Sequence, residues 1–218
     1  MSFLQDQLDE ITSSARDLVP AERLAASEHA VAELFASGIV DKILPVGALL
    51  PDFDLEDNSG HAVRSADLLA LGPLILKFFR GRWCPYCVTE LETWRELYPR
   101  LREAGAMIAA ISPQTRRQND FLADQHRLPF PVLTDPGCEL AERFGLAYTV
   151  PDYLRDYYLS VFVNLPFING DENWRLPIPA TYVISPAGLI LYAQAHADFR
   201  LRPEPVEALT TALAAIER

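Results

Sequence analysis

An apolar run that opens into two cysteines constrains this chain of 218 residues more than any other feature. Leu74-Ile75-Leu76-Lys77-Phe78-Phe79 reads as a buried strand. Arg80-Gly81-Arg82 turns the chain, Trp83-Cys84-Pro85-Tyr86-Cys87 follows, and Val88, Leu91, Trp94, Leu97 and Tyr98 recur at helical spacing. The pattern predicts a strand over 74–80 and a helix over 85–104, closed by Gly105 with Arg100 and Arg102 in its last turns. Cys84 falls near the N-cap and Pro85 at the first helical position, where a missing N–H leaves nothing unpaired.

That junction activates sulfur. Free backbone N–H groups and the positive end of the helix dipole face Cys84, and both favour thiolate, the nucleophilic form. Arg80 and Arg82 add positive charge. Cys87 lies one turn on and shares a face with Cys84. A Cys84–Cys87 disulfide would close a tiny loop and add little stability, so its use is exchange chemistry. A zinc site would need a second C-x-x-C or C-x-x-H. Cys138 and the four histidines, His29, His61, His126 and His196, lack ligand spacing. Haem attachment needs His after the second cysteine, where Val88 stands. No metal and no cofactor is expected. Trp83, Pro85 and the strand-to-helix context favour a redox dithiol over an inert buried pair.

The net charge of −11 argues against nucleic acid or an anionic membrane surface as partner. No apolar run approaches the ~18 residues of a transmembrane helix. Met1-Ser2-Phe3-Leu4-Gln5-Asp6 has neither the basic start nor the apolar core of a secretory signal. Three cysteines make no disulfide framework. The cytoplasm is the expected compartment, where a dithiol is kept reduced.

Residues 3–16 and 20–38 read as two amphipathic helices, the second opened by Pro20 and striped by Leu24, Ala25, Val31, Leu34 and Phe35; Ser27 and His29 read as solvated. We place an N-terminal helical extension at 1–43, packing on the main domain or on a second copy, and one domain at 44–218. Phe53 to Val63 reads as a hairpin around Asp57-Asn58-Ser59-Gly60. Strands at 106–111 and 130–133 alternate with helices at 115–126 and 139–144. A hairpin over 180–193 and a helix over 205–216 complete the chain. The alternation implies an α/β fold, a central mixed sheet flanked by helices. Residues 146–178 are too long for an ordinary connection and hold Tyr148, Tyr153, Tyr157, Tyr158, Phe162, Phe167 and Trp174. Such an insertion can line a substrate groove, form an interface or, as expected first, cover a core.

The order strand, WCxxC, helix, strand, helix, strand, and a proline before a late hairpin resembles the thioredoxin fold. More closely, Pro51-Asp52-Phe53-Asp54-Leu55, Phe78 to Cys87, Ile111-Ser112-Pro113-Gln114, Phe130 to Asp135 and Phe144-Gly145 resemble the peroxiredoxin-like branch of the alkyl hydroperoxide reductase/thiol-specific antioxidant (AhpC/TSA) family, over about 45–218. The resemblance implies an antioxidant thiol peroxidase. Peroxiredoxins place Thr or Ser three residues before the peroxidatic cysteine, which puts Cys87 in that position and Cys84 in the hydroxyl's. Thioredoxin-like reductases attack with the first cysteine, here Cys84. The two patterns assign opposite roles to one pair.

Two departures follow. The peroxiredoxin Arg before the late strand is replaced by Pro179, where thioredoxin-like proteins carry a cis-proline for binding extended substrates. Arg80, Arg82 or Arg175 is the candidate substitute, with Arg175 expected at the surface. The buried acid of thioredoxins is missing from 74–83, which leaves Lys77 there, snorkelling or at a sheet edge, or else buried as a base with depressed pKa. Cys138, after Asp135-Pro136-Gly137, is a small apolar packing residue or a resolving thiol.

The expected activity is reduction of hydroperoxides through Cys84 and Cys87, with thioredoxin, glutaredoxin or glutathione as reductant. Pro85-Tyr86 resembles the glutaredoxin dipeptide. Disulfide exchange with Cys84 attacking is the alternative, supported by Trp83, Pro85 and Pro179. A redox sensor without turnover is the third reading.

Overall fold

The computed structural model describes residues 4–216. Seven strands form a mixed sheet: β1 (Asp54–Asp57), β2 (Ala62–Arg64), β3 (Leu74–Phe78), β4 (Met107–Ser112), β5 (Val132–Thr134), β8 (Ala180–Ile184) and β9 (Ile190–Ala195), in the order β2-β1-β5-β4-β3-β8-β9. β3 runs parallel to β4 and antiparallel to β8, with Phe78 opposite Ile111 on one side and Ala180 on the other. Every residue of β3 is buried, as befits a central strand covered on both faces.

The period of two along β3 divides the core. Leu74, Leu76 and Phe78 pack with Ile111, Phe144 and Tyr182 on one face. Ile75 and Phe79 pack on the other with Trp94, Cys84 and Cys87 of the helix-bearing layer. Lys77 falls on this second face, inside the layer that holds both sulfurs. The helix α4 (Pro85–Glu103) buries Cys87, Glu90, Leu91 and Trp94 on one stripe. Cys138, fully buried, belongs to the opposite face.

α1 (Leu4–Leu18) and α2 (Ala21–Ala36) occupy the expected stretches; Phe3, the first residue of the expected helix, lies outside the described residues. Leu4 and Leu8 of α1 are buried among the residues around Cys84 and Cys87, a gain of about 1.5–3 kcal/mol each. Glu204 caps α1, its carboxylate accepting from the N–H groups of Leu4 (3.3 Å) and Gln5 (3.1 Å). The expected stripe of α2 is corrected in two places: Ala25 is exposed and Phe35 is 74% exposed, whereas Ala30 is buried and Ser27 half-buried. The buried face is set by α7 (Asp152–Ser160), against which α2 packs.

The stretch 146–178 is not a bare loop. It forms β6 (Ala147–Thr149), α7, α8 (Leu165–Asn169) and β7 (Arg175–Pro177), with β6 and β7 paired antiparallel. Val150, Leu154, Tyr158, Leu165 and Leu176 give it a small core of its own, shared with Ala30 of α2. α3 (Ser65–Leu69), α5 (Arg116–His126), α6 (Glu139–Arg143) and α9 (Pro205–Ala214) complete the flanking layers.

Candidate active site

The turn from β3 into α4 is held by its own backbone and by a buried amide network. Gly81 has φ +153°, and a Cβ there would lie 2.4 Å from the Trp83 indole nitrogen, so only glycine lets the ring pack on the turn. Gln114 Oε1 accepts from the Arg82 N–H at 2.9 Å, while its amide donates to Asn119 Oδ1 at 2.9 Å. Ser112 also donates to Asn119, at 2.8 Å. The Ser112-Pro113-Gln114 segment therefore fixes the loop that carries the sulfurs.

Cys84 is the N-cap of α4 and Cys87 sits in its first turn. Their sulfurs lie 3.0 Å apart, within hydrogen-bonding distance, and both thiols are free. Cys84 is 1% exposed and Cys87 0%. A guanidinium stands beside each. Arg80 Nη1 lies 4.0 Å from Cys84 Sγ, and Arg202 Nη2 lies 3.5 Å from Cys87 Sγ.

The surroundings divide the shared proton unequally. Burial pushes both thiols up. For Cys87 the hydrogen bond with Cys84, the Arg202 and Arg80 charges and the Arg80 backbone outweigh burial and bring it down to about 6. For Cys84 burial and the bond to Cys87 act together, and the thiol is held well above its ordinary range despite Arg80 and Arg202. The favoured state is a Cys87 thiolate accepting from a Cys84 thiol.

Behind Cys87 runs a buried chain of charge. Arg202 Nε donates to Glu90 Oε2 at 2.5 Å, and Lys77 Nζ meets Glu90 Oε1 at 2.7 Å. Arg202 Nη1 donates to the carbonyls of Phe199 (2.6 Å) and Leu201 (2.7 Å), and Lys77 to Ala180 O and Thr181 Oγ1. Lys77 neither snorkels nor sits at an edge. It is wholly buried in the central strand, and burial holds its pKa below the usual lysine range against the pull of Glu90.

The other expected residues fall as follows. Arg80 is buried, its guanidinium 4.7 Å from the Trp83 ring centre and 4.2 Å from that of Phe199, with Nη2 donating to the Tyr158 hydroxyl. Arg82 is exposed and turned away, donating to Gln118 at 2.6 Å and stacking 4.8 Å from Phe121. Arg175 is far from the sulfurs in contact terms, pairing with Glu142 at 2.5 Å. Pro179 is buried before β8, but its peptide bond is trans, so the cis-proline implied by the thioredoxin pattern is corrected. Cys138 lies across the sheet with its thiol pushed well above its ordinary range by burial, which fits packing and not resolution.

Sequence reasoning missed Glu90 and Arg202, and named Tyr158 only as one of the aromatics of the insertion. Glu90, three residues after Cys87 on one helical face, carries a readable signal. Arg202 follows the last strand and carries none. Together with α1 and α2, the insertion closes a cavity of about 290 Å³ over Cys84, also lined by Arg80, Trp83, Pro85, Tyr86 and Tyr158. Thr12 Oγ1 and the Tyr86 hydroxyl, 3.2 Å apart, tie α1 to α4 across it.

Comparison with known proteins agrees with this geometry. Chloroplastic peroxiredoxin Q of Triticum aestivum is 29% identical over 180 residues, covering 83% of this chain and 69% of the relative. The thiol-disulfide oxidoreductase ResA of Bacillus thuringiensis is 30% identical over 114 residues, 52% of this chain and 65% of the relative. The crystal structure of peroxidoxin BcpB from Mycobacterium tuberculosis superposes with a TM-score of 0.62 at 22% identity, covering 80% of this chain and 97% of that one, which places the fold among the thioredoxin-like peroxiredoxins. The AhpC/TSA family model matches residues 46–193, and on that match, most of its length, this chain belongs to the AhpC/TSA family.

Proposed function

We propose that Cys87 is the sulfur that attacks a hydroperoxide and that Cys84 resolves it. The chain is a thiol-dependent peroxidase of the peroxiredoxin kind. The observation that carries the assignment of roles is the pair of sulfurs 3.0 Å apart with Arg202 against Cys87 and Arg80 toward Cys84. The Cys87 thiolate attacks the terminal peroxide oxygen, the O–O bond breaks, and sulfur is oxidised to sulfenic acid as alkoxide leaves. Arg80 and Arg202 stabilise the charge that develops on the departing oxygen. The Cys84 thiol gives that oxygen its proton, releasing an alcohol, or water from hydrogen peroxide. The Cys84 thiolate so formed attacks the sulfenic sulfur and expels hydroxide. The sulfurs close from 3.0 Å to the ~2.05 Å of a disulfide with small side-chain movement.

Two external thiol equivalents then return the pair to the dithiol. Glutathione, thioredoxin or glutaredoxin supplies them; with Cys84 1% exposed beneath α1 and α2, a protein donor needs those helices displaced. Such a cycle suits a reducing cytoplasm. In this reading residues 1–43 are a helical extension that walls the pocket of a 44–218 domain, and a homodimer is the assembly in which the exposed Phe35 of that extension would be covered. Among the described residues no helix is long and apolar enough to cross a membrane. The ResA relative favours the second reading, exchange with disulfides. Against a protein disulfide stands the burial of both sulfurs.

A turnover assay tests the function. Hydrogen peroxide or an organic hydroperoxide should be consumed catalytically with glutathione or with thioredoxin and its reductase. Catalytic reduction of a model disulfide without peroxide turnover would establish the second reading, and oxidation by peroxide without cycling would establish a sensor.

A further inference from the structure

We infer that the cavity over Cys84 is a binding site for an amphipathic organic carboxylate, its head on Arg80 and its apolar body between α1, α2 and α7. The cavity, about 290 Å³, lies at the small end of the ~300–1,000 Å³ range of small-molecule pockets. Ile11 of α1, Val19 just after it, Leu24 of α2, and Tyr157, Val161 and Val163 from the end of α7 onward supply an apolar wall. α1 and α2 precede the 46–193 stretch that matches the family, so their share of this wall belongs to the chain's own extension.

Arg80 supplies the charge. It is 3% exposed and has no carboxylate partner among the described residues. Its contacts are neutral: the Tyr158 and Tyr148 hydroxyls, the Cys84 sulfur and the rings of Trp83 and Phe199. Its Nε is buried with no hydrogen-bond partner. Cation–ring contacts are weak beside the cost of burying a full charge and do not offset it. The Cys87 thiolate, with Arg202 at 3.5 Å, offsets the Arg80 charge only in part, and Cys84 keeps its proton. A guanidinium fork with a free N–H matches a carboxylate.

The balance of charge points the same way. Arg16, Arg80 and Arg200 line the cavity against one acid, Glu28; Arg200 is engaged by Glu28 and by Asp198, which leaves the charges of Arg80 and Arg16. This is a cationic pocket in a chain of net charge −11. An inorganic anion would leave the apolar wall uncovered, and a neutral apolar ligand would leave Arg80 unpaired.

The inference concerns equilibrium binding and stands apart from turnover, because the probe carries no oxidant. Decanoate and decanol are titrated calorimetrically into the reduced full chain. Decanoate should bind about 10- to 100-fold more tightly, the factor expected for a charge-assisted hydrogen-bonded pair. Arg80→Gln should remove that preference, and Ala15→Phe, which fills the cavity from α1, should weaken both ligands even if Arg80→Gln fails to fold. Decanol binding as tightly as decanoate, no binding of either, decanoate affinity unchanged in folded Arg80→Gln, or affinities unchanged in Ala15→Phe would each overturn the inference. Peroxide turnover of the ligand-free wild-type chain, measured separately, reports on the proposed function alone, because Arg80 serves both.

Discussion

Arg202 Nη2 lies 3.5 Å from Cys87 Sγ although the two residues are 115 positions apart. The segment after the last strand of the sheet thus supplies the cation nearest the thiolate. Replacing Arg202 with Met removes that charge and should move the Cys87 titration upward from about 6 toward the ordinary thiol value near ~8.5. Ultraviolet thiolate absorbance against pH reads the shift directly. An unchanged midpoint would assign the depression to Arg80 and the Cys84 bond alone.

The same depression sets a pH dependence of stability. The folded state favours the Cys87 thiolate, so its contribution is present above the unfolded value near ~8.5 and is lost as pH falls through about 6. Urea unfolding of the reduced protein should therefore show stability declining across that window more steeply than in Cys87→Ser. Parallel curves for the two proteins would contradict the assignment.

Glu90 joins two cations, Lys77 at 2.7 Å and Arg202 at 2.5 Å, with both partners buried. Glu90→Gln leaves those cations uncompensated and should cost about 3–5 kcal/mol. Lys77→Met added to Glu90→Gln should recover part of the loss. In the single variant stability should rise with pH, because burial already favours the neutral amine of Lys77 and nothing then holds its proton. Chemical denaturation of both variants at several pH values checks the order and the sign.

α1 seals the dithiol through Leu4 and Leu8. Leu8→Ala should cost about 2–5 kcal/mol and speed the reaction of the thiols with an aromatic disulfide reagent. Lower stability with an unchanged reagent rate would show that α1 stabilises the core without guarding the sulfurs.

How legible these features were depends on how local they are. The strand–WCPYC–helix junction was readable because hydrophobic period, Pro85 and the cysteine spacing all act within one turn. Lys77 was readable as an oddity, in a strand where the thioredoxin pattern would bury an acid and where 74–83 holds none. Glu90 instead comes from the following helix, where the spacing from Cys87 to Glu90 brings it to the same face. Arg82 and Arg80 are two residues apart in a turn and look equivalent in sequence. Only the packing of Trp83, Tyr158 and Phe199 draws Arg80 inward and leaves Arg82 on Phe121. The positions of Arg202 and of α1 are long-range facts of packing with no local signature. The exposure of Phe35 followed from the same cause, since α7 decides which side of α2 is buried.

The central claim is that Cys87 attacks and Cys84 resolves. Single-turnover stopped flow with hydrogen peroxide, with sulfenic acid trapped by dimedone and located by mass spectrometry, tests it most directly. Cys84→Ser should keep fast oxidation and carry the trapped adduct on Cys87, while Cys87→Ser should react no faster than free cysteine. Fast oxidation of Cys84 in Cys87→Ser, with Cys84→Ser inert, would contradict the account and give the attack to the sulfur that faces the cavity.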